Sequence, residues 1–133
     1  MKRVLIDTNV LISGLLFDGN PGELVKLWKK GQIVPLCSKE IVKEYLRVMA
    51  YPKFQLSESE IDFLLTQEIL PYFEVLTVKP GKSFVTMDPS DDKFVWCAIE
   101  GRAEVIVSGD EHLLNLLKSP VPVFTVTQFM ETI

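Results

Sequence analysis

The stretch RVLIDTNVLIS, residues 3–13, decides the fold of this chain. Its Val-Leu-Ile run at residues 4–6 is typical of a strand buried on both faces of a parallel sheet. Apolar residues resume at Val10, so Asp7 falls between two buried segments. A carboxylate in that position costs roughly several kcal/mol unless something compensates its charge. Asp7 is therefore either the N-cap of the following helix or a functional ligand.

Length and composition predict one domain, spanning residues 1–133, with one hydrophobic core. Apolar residues make up 47% of the chain, yet no apolar run is long enough to cross a membrane. The start, Met1-Lys2-Arg3, leads into a run broken by Asp7 and is a poor signal peptide, so we expect a cytoplasmic protein. The two cysteines, Cys37 and Cys97, lie far apart in apolar segments and are expected to be reduced core thiols.

Charge and histidine content restrict the chemistry. The net charge of −4 argues against a general nucleic-acid coat protein but not against an enzyme that handles nucleic acid through bound cations. Because His112 is the one histidine, a metal site built from several histidines is excluded. Any metal site would be rich in oxygen ligands, which favours Mg²⁺ or Mn²⁺ over Zn²⁺.

Strands and helices alternate along almost the whole chain, which predicts an α/β sandwich around a mostly parallel sheet. Pro35 makes the second strand weak or marks its end. Thr127 is expected to cap the last helix. The predicted strands cover about residues 3–6, 33–36, 73–78, 104–107 and 121–124. The predicted helices cover residues 8–16, 21–31, 38–49, 57–70, 94–99 and 112–117, and a final helix follows the last strand. The helix at 94–99 is opened by Asp92 and closed by Gly101.

One design occurs twice in the sequence. Residues 4–7 and residues 105–110 each contain a buried strand, then an aspartate, then a helix. Ligands of open parallel sheets bind at the carboxyl ends of the strands, where the strand order reverses. If these two strands are neighbours, Asp7 and Asp110 converge there, and the long turn before the Asp91-Asp92 pair can bring Asp92 to the same edge.

Several carboxylates packed together repel one another, and their pKa values rise unless a cation is bound. A divalent metal removes the conflict, and two such ions about 3.5–4 Å apart are the usual machinery for attack of water on a phosphodiester. The sequence contains no Gly-rich phosphate loop and no nucleophile elbow. A phosphatase of the haloacid-dehalogenase kind, with Asp7 as phospho-acceptor, needs a second aspartate two residues further on. This chain has Asn9 there, which argues against such a phosphatase.

The chain contains four short motifs, in the order Asp7-Thr8-Asn9, Glu44, Asp92 and Ser108-Gly109-Asp110. Together they resemble the PIN-domain family, and the resemblance covers essentially the whole chain. The likeness is greatest to small prokaryotic toxins of the VapC-like group. It implies a three-layer α/β sandwich with about five strands in the order 3-2-1-4-5. It also implies a ribonuclease that depends on Mg²⁺ or Mn²⁺, with two ions when substrate is bound, a homodimer, and in toxin members an antitoxin partner.

The resemblance assigns Asp7, Glu44, Asp92 and Asp110 to the catalytic metal-binding quartet. It makes Thr8, Asn9 and Ser108 polar support for the ligands or the attacking water. Asp88 or Asp91 could replace Asp92, and Glu40, one helical turn from Glu44, could replace Glu44. Candidate contacts to substrate phosphates, unless they only form a solvated face, are Lys39, Lys43, Arg47 and Lys93.

Two functions from different classes follow. The first is a metal-dependent endoribonuclease that hydrolyses RNA phosphodiester bonds, including the role of toxin in a toxin–antitoxin pair. The alternative is a non-catalytic PIN-like module that binds RNA or a protein. Metal bound among the four carboxylates distinguishes the two hypotheses.

Overall fold

A five-stranded parallel sheet with helices packed around it forms the framework of the computed structural model, which describes residues 2–116 and 118–133. The strands are β1 (Lys2–Ile6), β2 (Ile33–Ser38), β3 (Glu74–Leu76), β4 (Val105–Val107) and β5 (Val123–Phe124). The helices are α1 (Thr8–Leu16), α2 (Asn20–Lys29), α3 (Lys39–Met49), α4 (Glu58–Phe63), α5 (Asp92–Glu100), α6 (Glu111–Leu114) and α7 (Val126–Met130). Three short turns complete the list: 3₁₀ turns at Pro52–Phe54 and Pro89–Asp91, and a π-helical continuation of α4 at Leu64–Ile69.

The strand order is β3-β2-β1-β4-β5, so the predicted fold class and strand order are confirmed. β1 lies at the centre and pairs in parallel with β2 on one side and β4 on the other. Its last residue, Ile6, is in register with Val107, the last residue of β4. The backbone N–H of Asp7 extends this pairing by donating to the Val107 carbonyl at 3.0 Å. The chain therefore leaves both strands side by side at the point where the strand order reverses.

The core fixes the end of β1 firmly. Val4, Leu5 and Ile6 are completely buried, as the apolar run predicts. Tyr45 of α3 is also fully buried, and its hydroxyl donates to the Ile6 carbonyl at 3.4 Å. This contact ties α3, which carries Glu44, to the residue that precedes Asp7. Both cysteines are free and buried, as predicted, and burial raises the pKa of each thiol to about 12.

Two local predictions are wrong. Pro35 lies inside β2, which continues to Ser38. β3 pairs only with the last three residues of β2, so Pro35 sits where that side of the strand is an edge, and edges tolerate proline. Thr127 lies inside α7, which is capped instead by Thr125 in a reciprocal capping box with Gln128.

Some predicted elements are shorter than expected. α6 ends at Leu114, and Leu117, which was predicted to belong to it, lies outside the described residues, as does Met1. The helix opened by the Ser57 capping box keeps α-helical geometry only to Phe63. Across residues 2–116 and 118–133, no helix combines the length and apolar character needed to span a membrane.

Candidate active site

Asp7 occupies the carboxyl end of the central strand and is only 5% exposed. One carboxylate oxygen, Oδ1, accepts the backbone N–H of Val10 at 3.0 Å and so caps α1. The other, Oδ2, accepts the Ser108 hydroxyl from the neighbouring strand end. Burial raises the pKa of Asp7, the nearby Asp110 charge raises it further, and the hydrogen bonds act in the opposite direction. Capping therefore uses only one side of this carboxylate.

Ser108 links the two strand ends. It is completely buried. Its oxygen accepts the backbone N–H of Asp110 at 2.9 Å, and its hydroxyl donates to Asp7 Oδ2. Asp110 in turn caps α6, because its Oδ1 accepts the backbone N–H of His112 at 2.7 Å. The Asp110 side chain remains 33% exposed. The two aspartates thus belong to one connected cluster, with Asp7 inside and Asp110 at the rim.

Glu44 reaches the same place from α3. Its side chain is 12% exposed, and it accepts the hydroxyl of Thr8, the residue after Asp7. The Lys93 ammonium lies 2.7 Å from Glu44 Oε1, and Arg47 makes a looser contact of 3.4 Å with the same oxygen. Glu40, the alternative to Glu44, is 63% exposed and pairs with Lys43 at 3.7 Å. The structure therefore brings Glu44, and not Glu40, to the strand ends.

The adjacent residues Asp91 and Asp92 have different surroundings. Asp92 is buried at the start of α5, where its Oδ1 accepts the backbone N–H groups of Phe84 and Val85 at 2.9 and 2.7 Å. This carboxylate holds the preceding loop against the helix. The structure therefore engages Asp92, which the sequence placed among the metal ligands, in a structural role.

Asp91 lies near enough to Asp110 and Glu44 for their charges to act on its carboxylate. It is 8% exposed, and its Oδ2 is buried with no hydrogen-bond partner among the described residues. Burial raises the pKa of Asp91 to about 7, and the charges of Asp88, Asp110 and Glu44 contribute to the increase. The 3₁₀ turn at Pro89–Asp91 sets this register, since moving one residue along a helix rotates a side chain by about 100°. Asp88-Pro89 is the sequence feature that could have predicted this register, because a proline favours the start of a helical turn and this turn leads directly into α5.

A tight group of potential metal ligands lies at the outer side of the cluster. Asp88, Asp110 and His112 each offer an atom within 4.8 Å of the other two. In the described part of the chain, no three of Asp7, Glu44, Asp91 and Asp110 meet that spacing. From the sequence, Asp88 was only a substitute for Asp92 and His112 had no assigned role, because the turn that folds Asp88 back was not predicted.

Two clefts flank the acids. One, of about 420 Å³, is lined by Asn9, Gly109 and Asp110 together with residues of α1 and Pro21. The other, of about 390 Å³, is lined by Lys93, Ser90, Trp96 and Ser38 among others. Lys39, Lys43 and Arg47, the other candidate phosphate contacts, are exposed along α3. Lys93 differs from them because its side chain is only 17% exposed and already holds Glu44.

The residues present fit a divalent cation with a preference for oxygen ligands. Asp91 Oδ2 is a buried acceptor without a donor, which is rare in native structures and calls for an explanation such as an ion. Burial and mutual repulsion disfavour the ionised forms of Asp7 and Asp91, and a bound cation reverses that effect. Asp7, Glu44, Asp91 and Asp110 supply only oxygen, the ligand type of Mg²⁺ and Mn²⁺.

Comparison with known families matches residues 3–112 of the chain to the PIN domain. The chain belongs to the PIN-domain family. The matched range contains the strand-end acids, Glu44, the Asp91-Asp92 pair and His112. The family resemblance predicted from the sequence is thus confirmed.

Solved structures show the same PIN fold at low sequence identity. FitAcB from Neisseria gonorrhoeae is 19% identical with a TM-score of 0.64, and the match covers 93% of this chain and 98% of that chain. PAE2754 from Pyrobaculum aerophilum is 16% identical with a TM-score of 0.63, covering 98% and 94% respectively. No curated protein sequence matches the chain.

Proposed function

We propose that this PIN-domain protein is a metal-dependent endoribonuclease whose metal ligands are Asp7, Glu44, Asp91 and Asp110. The main support is the unpartnered, buried Asp91 Oδ2 of a carboxylate that feels the charges of Asp110 and Glu44, at the reversal of strand order. Parallel sheets bind their ligands at this position. Asp91 takes the place that the sequence gave to Asp92. The family match supports a nuclease, and the resemblance to VapC-like proteins supports RNA as substrate.

The ligands are held in position before any substrate arrives. The Ser108 hydroxyl fixes Asp7 Oδ2, and the Val10 N–H fixes the other oxygen. The Thr8 hydroxyl fixes Glu44, and Lys93 balances the Glu44 charge. Such supporting contacts keep the ligands of a functional site rigid. These contacts support the proposed roles of Thr8 and Ser108 as polar support, while Asn9 lies on the exposed side, in the 420 Å³ cleft.

The reaction is hydrolysis of a phosphodiester, in which water forms a new bond to phosphorus as the bond to the leaving ribose oxygen breaks. One or two Mg²⁺ or Mn²⁺ ions would activate this water and stabilise the leaving oxygen. The protein itself orients the acids, excludes water on the buried side at Asp7, and offers cations to the incoming phosphates. Lys93 is the best placed of these cations, and Lys39, Lys43 and Arg47 could extend the contact along α3.

Cleavage of a labelled RNA tests this proposal. The protein with Mn²⁺ or Mg²⁺ should cleave it, an excess of chelator should stop cleavage, and Asp7→Asn should abolish it. Glu40→Gln is the matched control, because Glu40 lies on α3 outside the cluster, and it should leave cleavage unchanged. Cleavage that persists in chelator, or an equally active Asp7→Asn protein, would contradict the proposal.

Two further expectations belong to the same proposal. An antitoxin would bind near the acidic cluster and inhibit cleavage, and the active form would be a homodimer in the cytoplasm. Co-purification with the product of a small adjacent reading frame tests the first, and light scattering tests the dimer. If the protein binds RNA in the presence of Mn²⁺ without cleaving it, the non-catalytic module is the correct function.

A further inference from the structure

The cleft of about 390 Å³ beside the acids combines apolar surface with a cation, and we call it the Trp96 cleft. Val78, Pro80 and Trp96 supply the apolar surface, and Lys93 supplies the cation. Trp96 follows Lys93 by three residues in α5, so the two side chains are neighbours on one face of that helix. An aromatic ring and a positive charge therefore lie side by side at this cleft.

Trp96 is half-buried, and one edge of its ring is fixed by the loop before α5. Its indole Nε1 donates to the Lys82 carbonyl at 2.8 Å. Gly81 lies against the same edge, because a Cβ added to it would be 3.3 Å from both indole Cδ1 and Nε1. The polar group of the ring is thus satisfied within the protein, while the ring also lines the cleft. A side chain ordered in this way loses little conformational entropy when a ligand packs against it.

Lys93 connects the Trp96 cleft to the proposed metal ligands. Its ammonium lies 2.7 Å from Glu44 Oε1 and also donates to the Ser90 carbonyl. Glu40 is the other charged residue among the described residues that line the cleft, but it is 63% exposed and pairs with Lys43. A phosphodiester bound at the acids would therefore have Lys93 beside it and the Trp96 cleft within reach of its neighbouring nucleoside.

The surroundings indicate which ligand the Trp96 cleft suits. The other cleft beside the acids, of about 420 Å³, has no aromatic residue among the described residues that line it. Near Trp96, by contrast, Lys82 lies 5.2 Å from the centre of the Phe84 ring, and both line a smaller cleft of about 200 Å³ with Lys118. Aromatic rings interspersed with cations are typical of surfaces that bind unpaired nucleic acid, since bases stack on the rings and phosphates pair with the cations. This pattern favours a nucleotide over an apolar peptide side chain.

We propose that Trp96 is the stacking surface for one unpaired nucleobase of the RNA, next to the phosphodiester that is cleaved, with Lys93 contacting the phosphate of that nucleotide. Stacking of this kind accepts any base, because every base has an aromatic face. Trp96 thereby determines where the RNA must be unpaired. The assignment rests on the proposed function for the position of the cleaved bond, but binding of a base at Trp96 can be measured without cleavage.

Tryptophan fluorescence tests the stacking, because the two tryptophans of the chain have different environments. Trp28 is 2% exposed in the core, whereas Trp96 lines the cleft. In Asp7→Asn protein with Mg²⁺, where cleavage should not occur, a short single-stranded oligoadenylate should quench part of the emission. The same protein with Trp96→Phe, which emits from Trp28, should show no quenching. An abasic oligomer of the same length should not quench either protein.

The absence of quenching in the Asp7→Asn protein would overturn the proposal. Quenching that persists with Trp96→Phe, or that the abasic oligomer produces equally, would also overturn it. In the latter case the cleft binds the phosphates and not a base, and an apolar peptide side chain becomes the better candidate for its aromatic wall.

The affinity for a labelled oligoadenylate, measured by anisotropy in the same Asp7→Asn protein, separates stacking from a structural role of Trp96. Trp96→Leu removes the ring and should weaken binding by at least about tenfold. Trp96→Phe loses the hydrogen bond to the Lys82 carbonyl but keeps a ring, so it should bind within about threefold of the protein that contains Trp96. Equal weakening by the two changes would show that Trp96 acts through the loop and would overturn the proposal.

Phe63→Leu is the matched control for the loss of an aromatic ring. Phe63 is 55% exposed on α4 and lines a different cleft, so this change should leave the affinity for the oligoadenylate unchanged. If Phe63→Leu weakened binding as much as Trp96→Leu, the effect would not be specific to the Trp96 cleft, and the proposal would fail.

Cleavage assays with Asp7 intact distinguish failure of this proposal from failure of the proposed function. Trp96→Leu should raise the KM for RNA with little change in kcat, because stacking stabilises the bound substrate and the transition state alike. A lower kcat with an unchanged KM would contradict a role in binding. Quenching at Trp96 without RNA cleavage by the parent protein refutes only the nuclease, and RNA cleavage without quenching refutes only the stacking surface.

Discussion

Asp7 and Asp110 follow neighbouring strands of one sheet and each begin a helix, yet their environments differ. Asp7 comes directly after Ile6 and is buried beneath α1. Asp110 is separated from β4 by Ser108 and Gly109, and its side chain remains 33% exposed. Two additional residues move the second carboxylate from the interior to the rim. The same pattern in sequence therefore produces an inner carboxylate and an outer carboxylate, and this difference in depth has measurable consequences.

Neutralising each aspartate should produce the largest effects and separate the two roles. Asp7→Asn and Asp110→Asn should each reduce RNA cleavage by at least about 100-fold, since losing even a supporting partner of a metal ligand costs about 10- to 100-fold. In chelator, Asp7→Asn should raise the Tm, because burial raises the Asp7 pKa more than its hydrogen bonds lower it and the ionised form therefore opposes folding. Asp110→Asn should leave the Tm almost unchanged. Equal shifts in Tm would show that the two sites do not differ in depth.

The adjacent residues Asp91 and Asp92 should differ more sharply than Asp7 and Asp110. Asp91→Asn should reduce cleavage by at least about 100-fold without lowering the Tm. Asp92→Asn should cleave within about threefold of the parent protein but unfold at a lower temperature, because hydrogen bonds to a charged acceptor contribute about 1.5–3 kcal/mol each. Cleavage rates and thermal unfolding of the two proteins check this. Reversed results would restore Asp92 as the ligand.

The pH dependence of the free energy of unfolding tests whether the Asp91 carboxyl titrates with a raised pKa. The Asp91 pKa is about 7 in the folded protein and lower in the unfolded chain, so the folded state binds the extra proton between about pH 4 and 7. Stability from this group is thus lost as the pH rises through 7. In chelator, the Tm of Asp91→Asn minus that of the parent protein should increase from about pH 4 to 7 and then level off. A constant difference would show that Asp91 does not titrate in this range.

Lys93 should give the smallest effect. Lys93→Gln removes the cation beside Glu44, so RNA should bind a few-fold more weakly and the salt dependence of binding should decrease by about one phosphate contact. Lys26→Gln is the control, because Lys26 is exposed on α2, pairs with Glu23 and is not among the candidate phosphate contacts. Binding of RNA to Asp7→Asn carrying either change, measured at several salt concentrations, checks this. Equal effects of the two changes would mean that Lys93 makes no particular contact with RNA.

The sequence specified the framework well because strong signals agreed. The apolar run at residues 4–6 predicts β1 correctly, and the helix predicted at residues 38–49 forms as α3, capped by Ser38. The sequence does not distinguish Asp91 from Asp92 as the proposed ligand, since the difference between them depends on a single-residue offset created by the 3₁₀ turn at Pro89–Asp91. His112 was overlooked for a related reason, because its proximity to Asp88 arises from a loop folded across the sheet edge and not from local spacing.

An anomalous difference map from a crystal of the protein soaked in Mn²⁺ would show directly which acids bind the metal. A strong peak is expected at the carboxyl edge of the sheet, between Asp7, Glu44 and Asp91, with Asp92 still accepting the Phe84 and Val85 amides. A map with no peak among these acids, or with the ion bound to Asp92 and not to Asp91, would contradict the proposed set of ligands.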